Sequence, residues 1–121
     1  VLPEASKKSI IIRKGFESNL IIYPITDFQN IYTRINSLSE FSSEQRKLKR
    51  NLFSGISQID LDSNGRFLIP KNMISHCGIE REVILIGVGN IIELWDPKSY
   101  KNNLIKDSKE FSSLAQKYLD I

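Results

Sequence analysis

Asp62 and Arg66 are the two residues whose types and spacing best suit the binding of another molecule. They flank Ser63-Asn64-Gly65, and the Asn-Gly step predicts a tight turn between two strands. A carboxylate four residues before an arginine can hold the guanidinium in one orientation. An arginine held in this way can bind phosphate, or O6 and N7 of guanine in a major groove. The residue types equally allow an ordinary surface ion pair, worth well under about 1 kcal/mol.

Three other groups of reactive side chains favour a structural interpretation over catalysis. Asp60 and Asp62 alternate along a strand and are expected to be solvated, since a hydrolytic pair needs a cleft and raised pKa values. Ser75-His76-Cys77 are neighbours on a short predicted helix, so their side chains point apart. Gly87-Val88-Gly89-Asn90 lacks the Gly-Lys or third glycine of a phosphate-binding loop and fits a hairpin turn. We therefore expect no enzyme and no small-molecule substrate.

The composition limits the class of protein. The 121 residues are 40% apolar and 26% charged, which is ordinary for a soluble globular domain. A single Cys excludes disulfides within the chain and favours a reducing compartment, and with a single His it predicts no metal site and no cofactor. No apolar run approaches the roughly 20 residues of a membrane span, so no membrane partner is expected. The net charge of +3 permits nucleic-acid binding without requiring it.

The first half of the chain is predicted to form a hairpin and two helices. Two β-branched runs, 10–12 and 20–23, surround a glycine-containing break and predict the hairpin. Apolar residues with helical spacing follow over 27–35. Ser42 and Gln45 form a capping-box pattern that opens a second helix, which ends before a glycine.

The second of these helices carries the densest basic cluster in the chain, formed by Arg46, Lys47, Lys49 and Arg50. A solvated helix face is the more ordinary interpretation of such a cluster. The alternative is a surface that faces phosphate groups.

The second half is predicted to form strands around a short helix. Alternating residues predict strands over 58–62 and 67–69, on either side of the turn. Pro70 is expected at the first position of a short helix that ends before Gly78 and buries a stripe of apolar residues, namely Met73, Ile74 and Cys77. Asp96-Pro97 predicts the start of an amphipathic helical tail.

The chain also contains a loose internal repeat. Segments 10–28 and 83–100 share the order strand, glycine break, strand, aromatic, proline, aromatic, and Tyr23 and Trp95 hold matching positions 72 residues apart. Trp95, at a strand end, is expected in the core or at an interface. A strand, an Asp-x-x-Gly-Arg turn and a short helix precede the second copy. We expect the corresponding half of the first copy to lie before Val1.

The most specific pattern runs from the second helix to the last strand. It reads RNLFSG at 50–55, DLDSNGRFLIP at 60–70, CGIEREVILIG at 77–87 and IELWDP at 92–97. In combination these stretches resemble the MraZ family of bacterial transcriptional regulators, which belongs to the AbrB/SpoVT-like swapped-hairpin class. RKGF at 13–16 and LIIYP at 20–24 are similar to the tail of the family's first repeat.

The resemblance implies an α+β fold of two pseudo-symmetric β-α-β repeats with flanking helices, the first incomplete at the N-terminus. The implied divisions are 1–32 for the C-terminal part of the first repeat, 33–55 for a connecting helical segment, 56–100 for the second repeat and 101–121 for a C-terminal helix.

The resemblance also implies binding of double-stranded DNA in the cytoplasm, at the nucleoid, at repeated operator sites upstream of cell-division and cell-wall genes. Asp62 and Arg66 match the family's Asp-x-x-x-Arg turn, with Asn64 inside it and Lys71 beyond it as a further phosphate contact. The implied assembly is a ring-shaped homo-oligomer, often an octamer. A ring gains avidity on repeated sites and covers strand edges and apolar positions such as Trp95.

A second hypothesis is a ring-forming protein-interaction module with little or no DNA binding, which the small net charge allows. A steep fall of DNA affinity with salt would favour the DNA-binding regulator over this module.

Overall fold

The computed structural model describes residues 8–121, so residues 1–7 of the predicted division 1–32 lie outside the described residues. Within 8–121 the chain forms five strands and five helices, which makes it an α+β protein as predicted. The elements in order are β1 (Ser9–Lys14), β2 (Asn19–Pro24), α1 (Phe28–Asn36), α2 (Ser43–Ser54), β3 (Ile56–Asp60), α3 (Lys71–Cys77), β4 (Ile84–Val88), β5 (Ile91–Trp95), α4 (Pro97–Asn102) and α5 (Ser108–Leu119).

These strands form an antiparallel sheet in the order β3-β1-β2-β5-β4. The two predicted hairpins, β1–β2 and β4–β5, are confirmed. They join through β2 and β5, where Leu20 lies opposite Leu94 and Ile22 lies opposite Ile92. Residues 72 positions apart correspond in the two hairpins, so Leu20 corresponds to Ile92 and Ile22 to Leu94. Each of the two pairs is therefore the counterpart of the other, as expected for two hairpins related by a two-fold axis. The first hairpin has the longer loop, so the relation does not extend to the turns.

The central strand β2 is buried because helices cover both faces of the sheet. On one face, side chains of three strands pack against α3 in a cluster of Ile12, Leu20, Ile22, Leu94, Met73 and Cys77. On the other face, Ile11, Ile21 and Tyr23 pack with the partly buried Phe28 and Ile31 of α1. The prediction that Met73 and Cys77 face the core is confirmed.

Trp95 belongs to the interior of the chain. It is 4% exposed, its ring lies edge-on to Tyr100 with centroids 6.0 Å apart, and Nε1 donates to Glu93 Oε1 at 2.8 Å. The predicted core position is therefore confirmed. Trp95 is not a surface position that a ring could cover, contrary to the expectation from the sequence.

The predicted strand over 67–69 is wrong. Phe67 and Ile69 pack against the α3 cluster while Leu68 is 90% exposed, so the in–out alternation of a strand is present. Within the described chain, however, this segment pairs with no strand of the sheet. An alternating sequence indicates only which side chains are buried. A β-strand also needs a neighbouring strand to which its backbone is hydrogen-bonded, and this segment has none among the described strands of the sheet.

The ends of the helices follow the predictions with two differences. Ser42 Oγ accepts from Gln45 N as a capping box requires, but Gln45 Oε1 accepts from Ser39 N rather than from the cap. Pro70 caps α3 with φ −57° and ψ 146° and precedes the first helical residue. Gly78 ends α3 with φ 67°, a left-handed conformation that favours glycine.

The C-terminal tail is interrupted rather than continuous. α4 ends at Asn102, and α5 begins where Asp107 Oδ1 accepts from Lys109 N at 3.1 Å. The apolar side chains of α5 stay exposed, including Phe111 and Tyr118 at 61% and 71%. In the part of the chain from 8 to 121, no helix is both long and apolar enough to cross a bilayer.

Candidate functional site

The Asp62–Arg66 turn, residues 62–66, is organised around one carboxylate. Asp62 Oδ1 accepts from the backbone amides of Asn64 and Arg66, both at 2.8 Å. Asp62 Oδ2 accepts from Arg66 Nε at 3.0 Å. The backbone closes the turn, because Asp62 N donates to Arg66 O at 2.8 Å and Gly65 adopts φ 79°.

The side chain of Arg66 is oriented at its base and open at its end. Arg66 Nε donates to Asp62, while no residue in the described part of the chain accepts a hydrogen bond from the two terminal amino groups of Arg66. The Arg66 side chain is 74% exposed. The free edge of the guanidinium carries the paired N–H donors that bind phosphate or guanine O6 and N7 in a bidentate manner.

A second set of contacts fixes the turn to the sheet. β3 leads into the turn and pairs with β1, with Ser9 opposite Asp60. Ser9 Oγ donates to Asp60 Oδ1 at 2.6 Å, and Leu61 N donates to Lys8 O at 2.6 Å. The turn therefore projects from the end of an edge strand that is held on one side. No pattern in the sequence indicated Ser9, which lies 51 residues before Asp60.

The four predicted DNA-contact residues occupy two places. Asp62, Asn64 and Arg66 lie together in the turn, with the Asn64 side chain exposed at its tip. Lys71 is the exposed first residue of α3, after the extended segment 67–70. The fully extended length of that segment limits the separation of Lys71 from Arg66 to about 17 Å.

The hydrogen bonds of the turn predict an acidic titration for Asp62. The Arg66 amide, the Asn64 amide and the Arg66 guanidinium lower its pKa from the ordinary value of 3.8, against an opposing effect of desolvation. Since the folded-state pKa lies below the unfolded one, the contribution to stability is complete above pH 3.8 and is lost as the pH falls through the lowered value.

NMR titration of the Asp62 carboxyl should therefore give a midpoint below 3.8, with the amide protons of Asn64 and Arg66 shifting at the same midpoint. In the Arg66→Ala variant the two backbone donors remain, so the midpoint should rise only part of the way. A midpoint at or above 3.8 in the unmodified protein would contradict this geometry.

The other reactive groups do not converge on one point. Cys77 is 1% exposed, and burial followed by the charge of Asp96 raises its pKa to about 11, so the thiol stays protonated at neutral pH. His76 Nε2 lies 2.9 Å from the carbonyl oxygen of Glu17 in the first hairpin loop. Among residues 8–121, no cluster of three or more His, Cys, Asp or Glu side chains could hold a metal ion.

Comparison with known proteins identifies one family. The family model described as "MraZ protein, putative antitoxin-like" matches residues 52–120. The matched range contains the Asp62–Arg66 turn and every element from β3 to α5.

Relatives named "Transcriptional regulator MraZ" are similar over nearly the whole chain. The protein of Cytophaga hutchinsonii is 44% identical over 118 residues, which are 98% of this chain and 78% of that protein. The protein of Christiangramia forsetii is 31% identical over 128 residues, covering 98% of this chain and 83% of that protein. The protein of Finegoldia magna is 36% identical over 110 residues, covering 91% and 77% respectively.

Proposed function

This chain belongs to the MraZ family, and from that membership together with the geometry of its turn we propose that it is a DNA-binding transcriptional regulator. The observation that carries the proposal is the Arg66 guanidinium, held through Nε by Asp62 and open at its other edge. Arg66 contacts a base edge or a phosphate, and Asp62 orients it. Asn64 at the tip of the turn and Lys71 at the start of α3 add contacts to the same DNA.

The proposed targets are repeated operator sites upstream of cell-division and cell-wall genes, and the place of action is the cytoplasm, at the nucleoid. One turn offers few contacts, so several copies must act together on repeated sites. The proposed assembly is a ring of identical subunits, often eight. The proposed division of each subunit is 1–32, 33–55, 56–100 and 101–121, with the turn in the third part.

Two exposed apolar surfaces support the assembly. β4 is the edge strand at one end of the sheet, and its residue Leu85 is 59% exposed. α5 presents Phe111, Leu114 and Tyr118 to solvent. Contacts between subunits would remove these surfaces from water. The same surfaces favour the second candidate, a ring-forming interaction module with little or no DNA binding.

Binding to duplexes with different numbers of repeats separates the two candidates. The probes are duplexes from upstream of cell-division genes of the source genome, cut to hold one or two repeats, and a scrambled duplex of equal length. We expect a second repeat to raise the affinity by about 10²–10⁴, with a steep fall as salt increases. Light scattering on the same sample should give a multiple of the subunit mass. Little or no binding to any of the three duplexes, with the assembly intact, would favour the interaction module.

A further inference from the structure

The helix α2 concentrates positive charge that the Asp62–Arg66 turn does not use. Its twelve residues include four basic side chains and one acidic one, which gives α2 a net charge of +3. The rest of the chain is neutral in sum, since the whole chain also has a net charge of +3. At 3.6 residues per turn the basic side chains cover about 160° of the helix circumference. They form the basic arc of α2, namely Arg46, Lys47, Lys49 and Arg50. Leu48 and Leu52, on the opposite side, line an apolar pocket shared with α1.

These charges have no carboxylate partner within the part of the chain that the structure describes. The one ion pair there is Arg66 with Asp62, and Glu44 makes none with Lys47, which lies three residues later. Arg46 and Arg50 are four residues apart, a spacing at which like charges destabilise a helix. A polyanion on the basic arc would remove this repulsion.

Two of the four side chains have structural contacts and two do not. Arg46 Nη1 donates to Glu40 O at 2.8 Å, and Lys49 Nζ donates to Asn36 O at 3.5 Å. Lys47 and Arg50 are exposed, and their side chains make no hydrogen bond among residues 8–121. Lys47 and Arg50 are therefore the cations most available to a ligand.

One strand connects the basic arc with the Asp62–Arg66 turn. β3 connects them, with α2 before its first residue and the turn after its last. Five strand residues span about 17 Å. One helical repeat of B-DNA, about 34 Å, is longer than this strand, so a duplex lying along β3 would extend past both of its ends.

We propose that the basic arc of α2 is a second DNA-contacting surface, which binds the phosphate backbone through Lys47 and Arg50 independently of sequence. The inference rests on the proposed function and deepens it. The turn selects the operator, and the basic arc adds affinity for any duplex. Loss of the arc therefore weakens operator and unrelated DNA by the same factor.

The test is the double substitution Lys47→Gln and Arg50→Gln, which leaves the contacts of Arg46 and Lys49 in place. Affinity is measured between about 50 and 250 mM NaCl on a one-repeat duplex, which engages one subunit, and on its scrambled counterpart. We expect the slope of log affinity against log salt to fall by about 1.8 on both, since each phosphate contact contributes about 0.9. At about 100 mM the affinity should fall tenfold or more on both duplexes, and their ratio should stay constant.

The matched control is Lys98→Gln with Lys101→Gln, which removes the same charge from two exposed positions of the helix α4. Its salt slope should change by less than about 0.5, and circular dichroism should show all variants folded. The proposal is overturned if the two double variants behave alike, or if the α2 variant loses affinity for the operator only. It is equally overturned if the α2 variant loses binding to vesicles of anionic lipid while its DNA affinity is unchanged.

The failure of the proposed function has a different signature. If the unmodified protein does not prefer repeats over scrambled DNA, the operator role of the turn is wrong. The basic arc is then still judged by the scrambled duplex alone.

Discussion

Replacing Arg66 with alanine is expected to weaken binding to a single operator repeat by about 5- to 150-fold, or about 1–3 kcal/mol. The side chain is 74% exposed and its ion pair with Asp62 lies at the surface, so the temperature of thermal unfolding should change little. On a two-repeat duplex the factor should be roughly squared, because each engaged subunit loses its own contact. Titration of fluorescent duplexes by anisotropy measures both factors.

Two further variants separate orientation from charge. Asp62→Asn keeps an oxygen that can accept from the backbone amides and removes the charge that holds Arg66 Nε, so it should weaken operator binding by a smaller factor than Arg66→Ala. In the Arg66→Ala background it should add little further loss, since Asp62 acts through Arg66. Arg81→Ala removes one exposed arginine elsewhere and serves as the charge control. An equal loss in Arg81→Ala would indicate that net charge, not the turn, determines affinity.

Replacing Leu94 with alanine should lower the free energy of unfolding by about 2–5 kcal/mol. Leu94 is 2% exposed and lies opposite Leu20, where β5 joins β2. Its side chain belongs to the cluster that seats α3 on the sheet. Domains of this size have about 5–15 kcal/mol of stability in total, so the variant should unfold at clearly lower denaturant concentration. Urea unfolding followed by circular dichroism provides the measurement.

Leu85→Ala is the matched control for this prediction. Leu85 pairs directly with Leu94 in the sheet and is 59% exposed, so its removal should cost about 1 kcal/mol or less within one subunit, measured at a protein concentration low enough to dissociate the assembly. A loss at Leu85 as large as at Leu94, and dependent on protein concentration, would mean that another subunit covers β4. Equal losses without a concentration dependence would contradict the burial of Leu94.

Local patterns in the sequence predicted most of the elements and the geometry of the turn. The Asn-Gly step and the spacing of Asp62 and Arg66 place all the interacting atoms within five residues, so no distant information is needed. The hairpins were predictable for the same reason. The repeat offset also agrees with the pairing of β2 and β5, although the repeat itself stays a prediction.

Features that depend on distant partners were not predictable. The strand expected over 67–69 has the correct alternation, but the alternation cannot show whether a neighbouring strand is present. The contact of Ser9 with Asp60 anchors the turn through residues 51 positions apart. The break between α4 and α5 was missed because the apolar pattern continues across it, while Asp107 caps a new helix. Whether a basic helix such as α2 is solvated or bound depends on a partner outside the chain.

The joining of two hairpins through β2 and β5 has a consequence during synthesis. Ile22 pairs with Ile92, and a ribosome that adds about 5–20 residues per second needs several seconds to make the roughly 70 residues between them. During that interval the first hairpin can form, but one edge of its apolar strand β2 has no neighbour. The nascent chain therefore exposes an unpaired strand edge before the rest of its sheet is synthesised. Chaperones, and other nascent chains on the same mRNA, can bind to this edge.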